Sequence, residues 1–422
     1  MNSPQNESLT RLLNRLPDLL PSLEATYKDV HSHPELSMQE NRTAGLAAKY
    51  LEENGYEVTT GVGKTGVIGL MRNGEGPTLM LRADMDALPV RESTGLDYAS
   101  KSSATDASGR TTYVAHACGH DMHVTWLMGT SGLFARTRDA WKGTLITLFQ
   151  PGEETAQGAR AMIADGLLAR LPKPDVVLGQ HVMVGPAGTV AGSAGPITSA
   201  ADSLQIRFFG RGAHGSMPQA SIDPVVMAAS TVLRLQTIVS REVAATDAAV
   251  VTVGVLQAGT KENVIPDEAL IKLNVRTFDP GVREHVLAAI RRIVNAEAQA
   301  SGAPRAPEIT QLDSYPLNVN DKEASERVAE AFRAHFSADR VRHTGPAPAS
   351  EDFGCFGTAL NAPSVYWFVG GTDPALYAQA KQQGRINELP VNHSPEFAPV
   401  LHPTLETGVE AMATAAMAWV RA

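Results

Sequence analysis

The chain has few of the features that mark secreted, membrane or nucleic-acid-binding proteins. It holds only two cysteines, Cys118 and Cys355, which cannot form a disulfide framework and favour a reducing compartment. No run approaches the ~20 apolar residues of a membrane helix, and the charged N-terminal segment lacks the apolar core of a signal peptide. An excess of 45 acidic over 36 basic residues argues against nucleic acid or an anionic membrane as a partner. We therefore predict a cytoplasmic protein.

The order of strand and helix patterns predicts an α/β fold with a second domain inserted in it. Apolar runs at 78–82, 144–149 and 176–178 do not alternate, which is typical of central strands covered on both faces. From Leu204 to Leu312 the order is β-α-β-β-α-β, the split ferredoxin-like unit. We predict a mixed central sheet with helices on both faces, formed by residues 1–196 and 314–422, and an inserted ferredoxin-like α+β domain at 197–313. Because residues 341–350 show no periodicity, we expect a loop there.

Polar residues that could bind a metal follow the predicted strands. In open α/β sheets, ligands bind at the carboxyl ends of the strands. The segment 115–123 combines Cys118 with His116, His120 and His123, and thiolate and imidazole suit zinc and its divalent neighbours. Alternatively, the cysteine is a small buried apolar residue and the histidines cover the start of a solvated helix.

Two adjacent carboxylates follow the second strand. In extended chain Glu153 and Glu154 would point in opposite directions, so one could bind a metal while the other takes a proton from a water molecule. The alternative is a solvated pair in a loop. His181 and His393 are each explained as well by a structural role, unless they converge on the same cluster.

Asp84 and Asp86 end another predicted strand and face the same way, because strand residues two apart share a face. Asp86 could orient an imidazole ligand, or the pair could cap a turn. In the predicted inserted domain, His214 lies in a glycine-rich turn, Asn263 precedes a Val-Ile-Pro segment, and Arg276 ends a strand, where its guanidinium could bind a carboxylate. Taken singly, a structural role explains each of these three better.

In chain order these segments resemble one family, the co-catalytic metallohydrolases that include aminoacylases, carboxypeptidase G-type enzymes, hippurate hydrolases and plant auxin-conjugate (indole-acetyl-amino acid) amidohydrolases. The resemblance runs nearly end to end and rests on the segments 33–36, 81–89, 116–121, 149–154, 263–266, 350–353 and 393–395, with the turn at His214. Because it has a cysteine in the predicted metal cluster, the chain resembles the hippurate hydrolase and auxin-conjugate branch of the family. Met122 stands where many relatives carry glycine.

The resemblance implies a set of metal ligands and catalytic residues. It implies that two divalent ions (zinc, manganese, cobalt or nickel) bind to Cys118, His120, Glu154, His181 and His393. Glu153 would be the general base, and Asp86 would orient a ligand. In the inserted domain, which the resemblance implies is a lid and dimerisation domain, His214 would stabilise the oxyanion, often from the partner subunit, and Asn263 and Arg276 would bind the substrate carboxylate.

The function implied by the resemblance is metal-dependent hydrolysis of the amide bond of N-acyl amino acids or similar carboxylate-bearing amides. The expected partners are a small-molecule substrate with a free carboxylate and a second copy of the chain, as a homodimer or homotetramer. Alternatives on the same site are hydrolytic deamination of an aromatic amine and dipeptidase or carboxypeptidase activity. A non-catalytic scaffold would lack ligands, and none is missing here.

Overall fold

The computed structural model describes residues 4–420, with side chains from Glu7 onward. The chain forms two compact units. The first comprises the residues up to Ile197, Val319–Gly345 and the chain from Asp352 onward, and the second comprises Thr198–Asn318 and Pro346–Glu351.

The described part of the chain forms twelve α-helices and eighteen strands. The helices are α1 Pro4–Leu13, α2 Leu16–Ser32, α3 Asn41–Glu53, α4 His120–Arg136, α5 Gly158–Ala164, α6 Leu167–Arg170, α7 Pro224–Thr237, α8 Pro280–Ala300, α9 Lys322–His335, α10 Gly354–Leu360, α11 Pro374–Gln382 and α12 Leu401–Met417. The strands are β1 Glu57–Val62, β2 Gly66–Asn73, β3 Thr78–Asp84, β4 Ser103–Thr105, β5 Thr111–Tyr113, β6 Gly143–Gln150, β7 Val176–Pro186, β8 Val190–Gly192, β9 Gly195–Thr198, β10 Ala200–Phe209, β11 Ala213–His214, β12 Ala249–Ala258, β13 Val264–Ile265, β14 Glu268–Thr277, β15 Glu308–Tyr315, β16 Asn318–Asn320, β17 Val341–His343 and β18 Ser364–Thr372.

The first unit is built on a mixed eight-stranded sheet in the order β1-β2-β6-β3-β7-β18-β8-β17. Its centre is parallel, since β3 pairs in parallel with β6 and β7, and β18 with β7, whereas β2 runs antiparallel to β6. Every residue of β3 from Leu79 onward is buried, as expected when both faces of a strand are covered. The predicted mixed α/β class is therefore confirmed.

Helix α4 is the central helix of this unit, and its residues from His120 to Phe134 are all buried. It packs against β3 on one side and against α2 and α12 on others. The approach of α12 is close: the indole N–H of Trp126 donates to the carbonyl of Thr404, and a Cβ at Gly408 would lie 2.0 Å from the Trp126 ring. Only glycine at 408 allows this helix pair to pack as it does.

The second unit contains β10, α7, β12, β14, α8 and β15 in that chain order, with an antiparallel sheet ordered β12-β14-β10-β15. Burial along β14 alternates, which is typical of a strand with one face on the core. Both helices begin at an aspartate followed by proline: Asp223 accepts from the Val225 N–H and Asp279 from two N–H groups, as N-cap residues do.

Three local predictions differ from the structure. The segment expected to be a loop contains β17, a three-residue strand paired in parallel with β8 and too short to show periodicity. Strand β7 continues to Pro186, so His181 lies within a strand and not at its end. Helix α4 begins at His120, whereas the apolar pattern of the sequence predicts a helix from His123 to Thr137. Within residues 4–420, no helix has both the length and the apolar character needed to cross a membrane.

Candidate metal centre

The carboxyl ends of the central strands bring most of the predicted ligand segments together. Strands β3 and β6 end side by side, with Asp84 opposite Gln150. The chain after β3 carries Asp86, and the turn after β6 carries Glu153 and Glu154. The N-terminus of α4 adds His120, and β7 adds His181. Parallel strands explain this convergence, because their carboxyl ends share one edge of the sheet.

The turn that carries the two glutamates differs from the prediction of extended chain. Gly152 adopts a left-handed conformation (φ 54°), and Glu153–Thr155 form a 3-10 turn. Three backbone N–H groups of this turn are bound by buried carboxylates. Glu40 accepts from Gly152 (2.8 Å), and Asp86 accepts from Glu153 (3.1 Å) and Glu154 (2.9 Å). The turn geometry and these amide contacts, not strand alternation, therefore position the glutamate pair.

All five predicted metal ligands lie in one cluster. Ligand atoms of Cys118, His120 and His181 lie within 4.8 Å of one another, and so do those of Cys118, Glu154 and His393. The Cys118 Sγ atom is 3.5 Å from His181 Nε2, and His393 Nε2 is 3.3 Å from Glu154 Oε1. The predicted general base, Glu153, also shares a group with His120 and Glu154. A thiol, three imidazoles and two carboxylates thus face one small volume.

A backbone hydrogen bond places His393 beside the cluster. It lies in the left-handed region (φ 73°), and its N–H donates to the carbonyl of Ala117 at 2.7 Å, next to Cys118. Its side chain remains 55% exposed, whereas that of His120 is fully buried. The cluster is therefore closed on the helix side and open at His393.

The protonation states of the cluster follow from these contacts. His181 Nδ1 is 2.7 Å from the carbonyl of Val182, which can only accept, so the ring proton lies on Nδ1 and Nε2 is free to act as a ligand. Burial lowers the pKa of His181, which keeps this ring neutral. Burial and the Glu154 carboxylate raise the pKa of the Cys118 thiol, so a cation close to the sulfur is what would favour the thiolate.

Asp86 connects the glutamate turn to a histidine. Its Oδ1 lies 3.3 Å from His120 Nδ1, and its Oδ2 accepts from the Ser37 hydroxyl at 2.6 Å. Burial alone would raise the pKa of Asp86, but the contacts with His120 and Ser37 outweigh it and hold that pKa below its usual value. The ionised carboxylate can therefore orient His120 with Nε2 toward the cluster.

A second layer of buried polar residues lies under the cluster, and three of its members, Arg82, Gln150 and Asp352, were not identified from the sequence. Asp84 contacts Arg82 Nη1 (2.7 Å) and His123 Nδ1 (2.5 Å). Asp352 contacts Arg82 at 3.2 Å and accepts from the Gln150 amide at 2.7 Å. The one signal in the sequence was that Arg82, Gln150 and Asp352 each lie within a segment that carries the family resemblance.

The three remaining predicted site residues lie in the second unit. His214 on β11 pairs with Val264 on β13, and the Gly215 N–H donates to the carbonyl of Asn263, so His214 and Asn263 are neighbours. Arg276 lies on β14, where its Nη1 donates to the Pro348 carbonyl (2.6 Å) and the Ser350 hydroxyl (3.0 Å). The roles predicted for these three residues remain predictions.

The cluster has the properties expected of a site for divalent metal ions. Sulfur, imidazole nitrogen and carboxylate oxygen are the ligand atoms of zinc and neighbouring transition metals. Nε2 of His120 and Oε1 of Glu154 are buried without a hydrogen bond to any described residue. Buried polar atoms are rarely left in this state, and coordination to a cation would satisfy them. The residues therefore fit divalent metal ions.

A set of mixed metal ligands with a further carboxylate beside it, at the carboxyl ends of a mixed α/β sheet, is the arrangement of a metal-dependent hydrolase. Comparison with known proteins agrees with this class. The model of peptidase family M20/M25/M40 matches residues 80–390. Hippurate hydrolase from Campylobacter jejuni is 38% identical over 350 residues, which cover 82% of this chain and 87% of that protein.

Two further relatives are informative. N-acetyl-L-cysteine deacetylase from Bacillus subtilis is 37% identical over 346 residues, covering 81% of this chain and 79% of that protein. The crystal structure of the Bacillus subtilis YXEP protein, described as a dinuclear metal binding peptidase from the M20 family, has a TM-score of 0.73 and 30% identity, covering 94% of this chain and 97% of that one. The chain belongs to peptidase family M20/M25/M40, and it is a metal-dependent amidohydrolase.

Proposed function

We propose that this enzyme cleaves the amide bond between an acyl group and an amino acid, with Glu153 as the residue that transfers the proton. The observation that carries the proposal is the cluster itself, in which five side chains suited to metal share one small volume and a sixth, Glu153, lies beside them. The names of two relatives, a hippurate hydrolase and an N-acetyl-L-cysteine deacetylase, support an N-acylated amino acid as the substrate.

Each residue of the cluster has a distinct task in this mechanism. Two divalent ions bound by Cys118, His120, Glu154, His181 and His393 would supply a nucleophilic water at neutral pH and polarise the scissile carbonyl. Glu153, only 5% exposed and fixed by the N–H contact to Asp86, takes the proton from the water and donates it to the leaving amine.

His214 is suited to bind the developing oxyanion. The backbone N–H of Ser216 donates to His214 Nδ1 at 3.2 Å, so Nδ1 is the acceptor and Nε2 carries the proton. An Nε2–H group is the donor that an oxyanion requires, and the ring is exposed. We also assign Asn263 and Arg276 to the substrate carboxylate, since a guanidinium binds a carboxylate with two parallel hydrogen bonds.

We propose that the second unit acts as a lid and joins two subunits into a homodimer, or two dimers into a homotetramer. It exposes large apolar side chains on α7, where Val226 is 60% and Leu233 is 75% exposed. Strand β12 is an edge of its sheet and carries the exposed Val250, and an edge strand can pair with a strand of a second copy. In analytical ultracentrifugation the protein should sediment as a dimer or tetramer and Leu233→Glu should shift it toward monomer; a monomeric parent protein would contradict the proposal.

The native metal and the cellular location belong to the same proposal. Sulfur and nitrogen ligands favour zinc, cobalt or nickel over calcium or magnesium, and the Glu154 carboxylate also suits manganese. A cytoplasmic location suits a Cys118 thiol that must stay reduced to bind metal.

Substitution of the proposed base gives the sharpest test. Glu153→Gln should abolish hydrolysis of acetyl, benzoyl and indole-acetyl amino acids while metal content, measured by atomic emission, stays normal. The matched control is Glu57→Gln, the same exchange at an exposed glutamate that contacts Arg72, and it should leave turnover unchanged. Near-normal turnover in Glu153→Gln would refute the assigned role.

The same assay separates the alternative substrates. The wild-type protein, loaded with manganese, zinc or cobalt, is tested on N-acyl amino acids, dipeptides and aromatic amines. Release of amino acid from the N-acyl compounds is the expected result. Cleavage of dipeptides alone would favour a peptidase, in line with a relative named a thermostable carboxypeptidase, and release of ammonia from aromatic amines would favour a deaminase.

A further inference from the structure

His123 and Asn392 are two polar residues beside the cluster that have no role in the ligand set described above. His123 lies one turn after His120 on α4 and is 2% exposed. Asn392 directly precedes His393. Both contact Val182, the residue after the ligand His181, although they come from distant parts of the chain.

The tautomer of His123 follows from its two partners. The backbone N–H of Val182 donates to Nε2 at 2.9 Å, so Nε2 must be an acceptor. The ring proton therefore lies on Nδ1, which donates to Asp84 Oδ1 at 2.5 Å. Arg82 holds the other oxygen of Asp84 at 2.7 Å. Since both ring nitrogens are already used, His123 is not available as a metal ligand in this arrangement.

The carbonyl of Val182 is bound by two other side chains. It accepts from His181 Nδ1 at 2.7 Å and from the Asn392 side-chain amide at 3.0 Å. The same amide nitrogen donates to the Cys118 carbonyl at 3.1 Å. A Cβ at Gly119 would lie 2.4 Å from Val182 Cγ1, so the loop that carries Cys118 also packs closely on Val182.

We propose that His123 and Asn392 are positioning residues that hold the two backbone groups of Val182, so that its carbonyl directs Nε2 of His181 into the metal cluster. Neither residue touches the reacting atoms. His123 fixes the N–H side of Val182 through the Asp84 contact, and Asn392 fixes the carbonyl side and ties it to the Cys118 loop. An imidazole ligand depends on the group that binds its other nitrogen, because that group sets both tautomer and ring orientation.

The inference rests on the proposed metal-binding role of His181, and metal affinity tests it without reference to turnover. Cobalt(II) titration reports on the site through the charge-transfer absorption of a Cys118 thiolate ligand, and calorimetry gives the affinity. His123→Leu and Asn392→Leu should each weaken cobalt binding by on the order of 10–100-fold. His123→Gln keeps an acceptor for the Val182 N–H and loses the Asp84 contact, so it should recover part of the affinity lost in His123→Leu.

Asn320 provides a matched control in the same unit. Its side-chain amide also bridges two backbone carbonyls, those of Ser193 (2.8 Å) and Tyr366 (2.7 Å), but no predicted ligand is among its partners. Asn320→Leu should lower the melting temperature and leave cobalt affinity unchanged. If His123→Leu does not fold, the comparison of His123→Gln and Asn392→Leu with the wild type decides the question.

The possible outcomes are distinct. Wild-type cobalt affinity in folded His123 and Asn392 variants would overturn the inference while leaving the proposed function intact. A wild-type protein that binds no cobalt and shows no thiolate absorption would overturn the proposed function itself. Equal weakening in Asn320→Leu would show that the effect is a general loss of stability and would also overturn the inference.

Discussion

Replacing Asp86 by asparagine tests the link between the glutamate turn and the proposed metal ligands. Both carboxylate oxygens of Asp86 face donors: Oδ1 faces the Glu153 N–H and His120 Nδ1, and Oδ2 faces the Glu154 N–H and the Ser37 hydroxyl. An asparagine side chain has one oxygen and one NH₂ group. In either orientation its NH₂ group faces one backbone N–H of the turn, so that buried N–H loses its acceptor.

The expected loss of stability follows from this single unpaired N–H group. A buried donor left without a partner costs about 1–3 kcal/mol, and we expect this loss in the free energy of unfolding, measured by urea denaturation. Because His120 also loses its charged partner, metal affinity should fall on the order of 10–100-fold in calorimetric titration, and turnover should fall with it. Ser37→Ala, which removes one partner and leaves both amides bound, should have a smaller effect on both quantities. Wild-type affinity and turnover in Asp86→Asn would refute this reasoning.

Three further predictions concern the metal, a buried ion pair and a helix contact. Chelation should abolish hydrolysis, and a divalent transition metal should restore it. Although burial opposes the charge, Asp121 and Glu92 raise the pKa of His31 to about 10. The stabilisation contributed by protonated His31 should therefore be complete below the ordinary pKa of ~6.5 and decline toward pH 10. The difference in the free energy of unfolding between wild type and His31→Gln, measured by urea denaturation, should narrow over this range. Gly408→Ala should lower the free energy of unfolding by about 1–3 kcal/mol, because its Cβ would overlap the Trp126 ring.

Each of these has a result that would contradict it. Full activity in protein shown to be metal-free would exclude the metal-dependent mechanism. A stability difference for His31→Gln that stays constant across the pH range would mean that the imidazolium does not contribute through its charge. An unchanged unfolding midpoint for Gly408→Ala, with Gly45→Ala at an exposed position of α3 where a Cβ would meet no other atom as the comparison, would mean that α4 and α12 adjust without cost.

Several features could be predicted from the sequence because they depend on neighbouring residues. Continuous apolar runs indicated the central strands β3, β6 and β7, since a strand covered on both faces needs apolar side chains at consecutive positions. The dense group around Cys118 and His120 indicated a candidate metal site, with a structural role as the alternative, because the relevant ligand types lie within a few residues. The order of motifs along the chain indicated the family.

Other features depend on contacts between residues far apart in the chain, and no local pattern contains them. From the sequence, a structural role explained His181 and His393 equally well. In the structure, strand β7 and the Ala117–His393 hydrogen bond place them beside Cys118. The glutamate pair was expected in extended chain, but the acceptors that bend it into a turn, Glu40 and Asp86, come from elsewhere. The hydrogen bonds that His123 and Asn392 make to Val182 likewise join residues far apart in the chain. A hydrogen bond forms where folding places donor and acceptor together, and only the packed sheet and helices of this chain place these residues side by side.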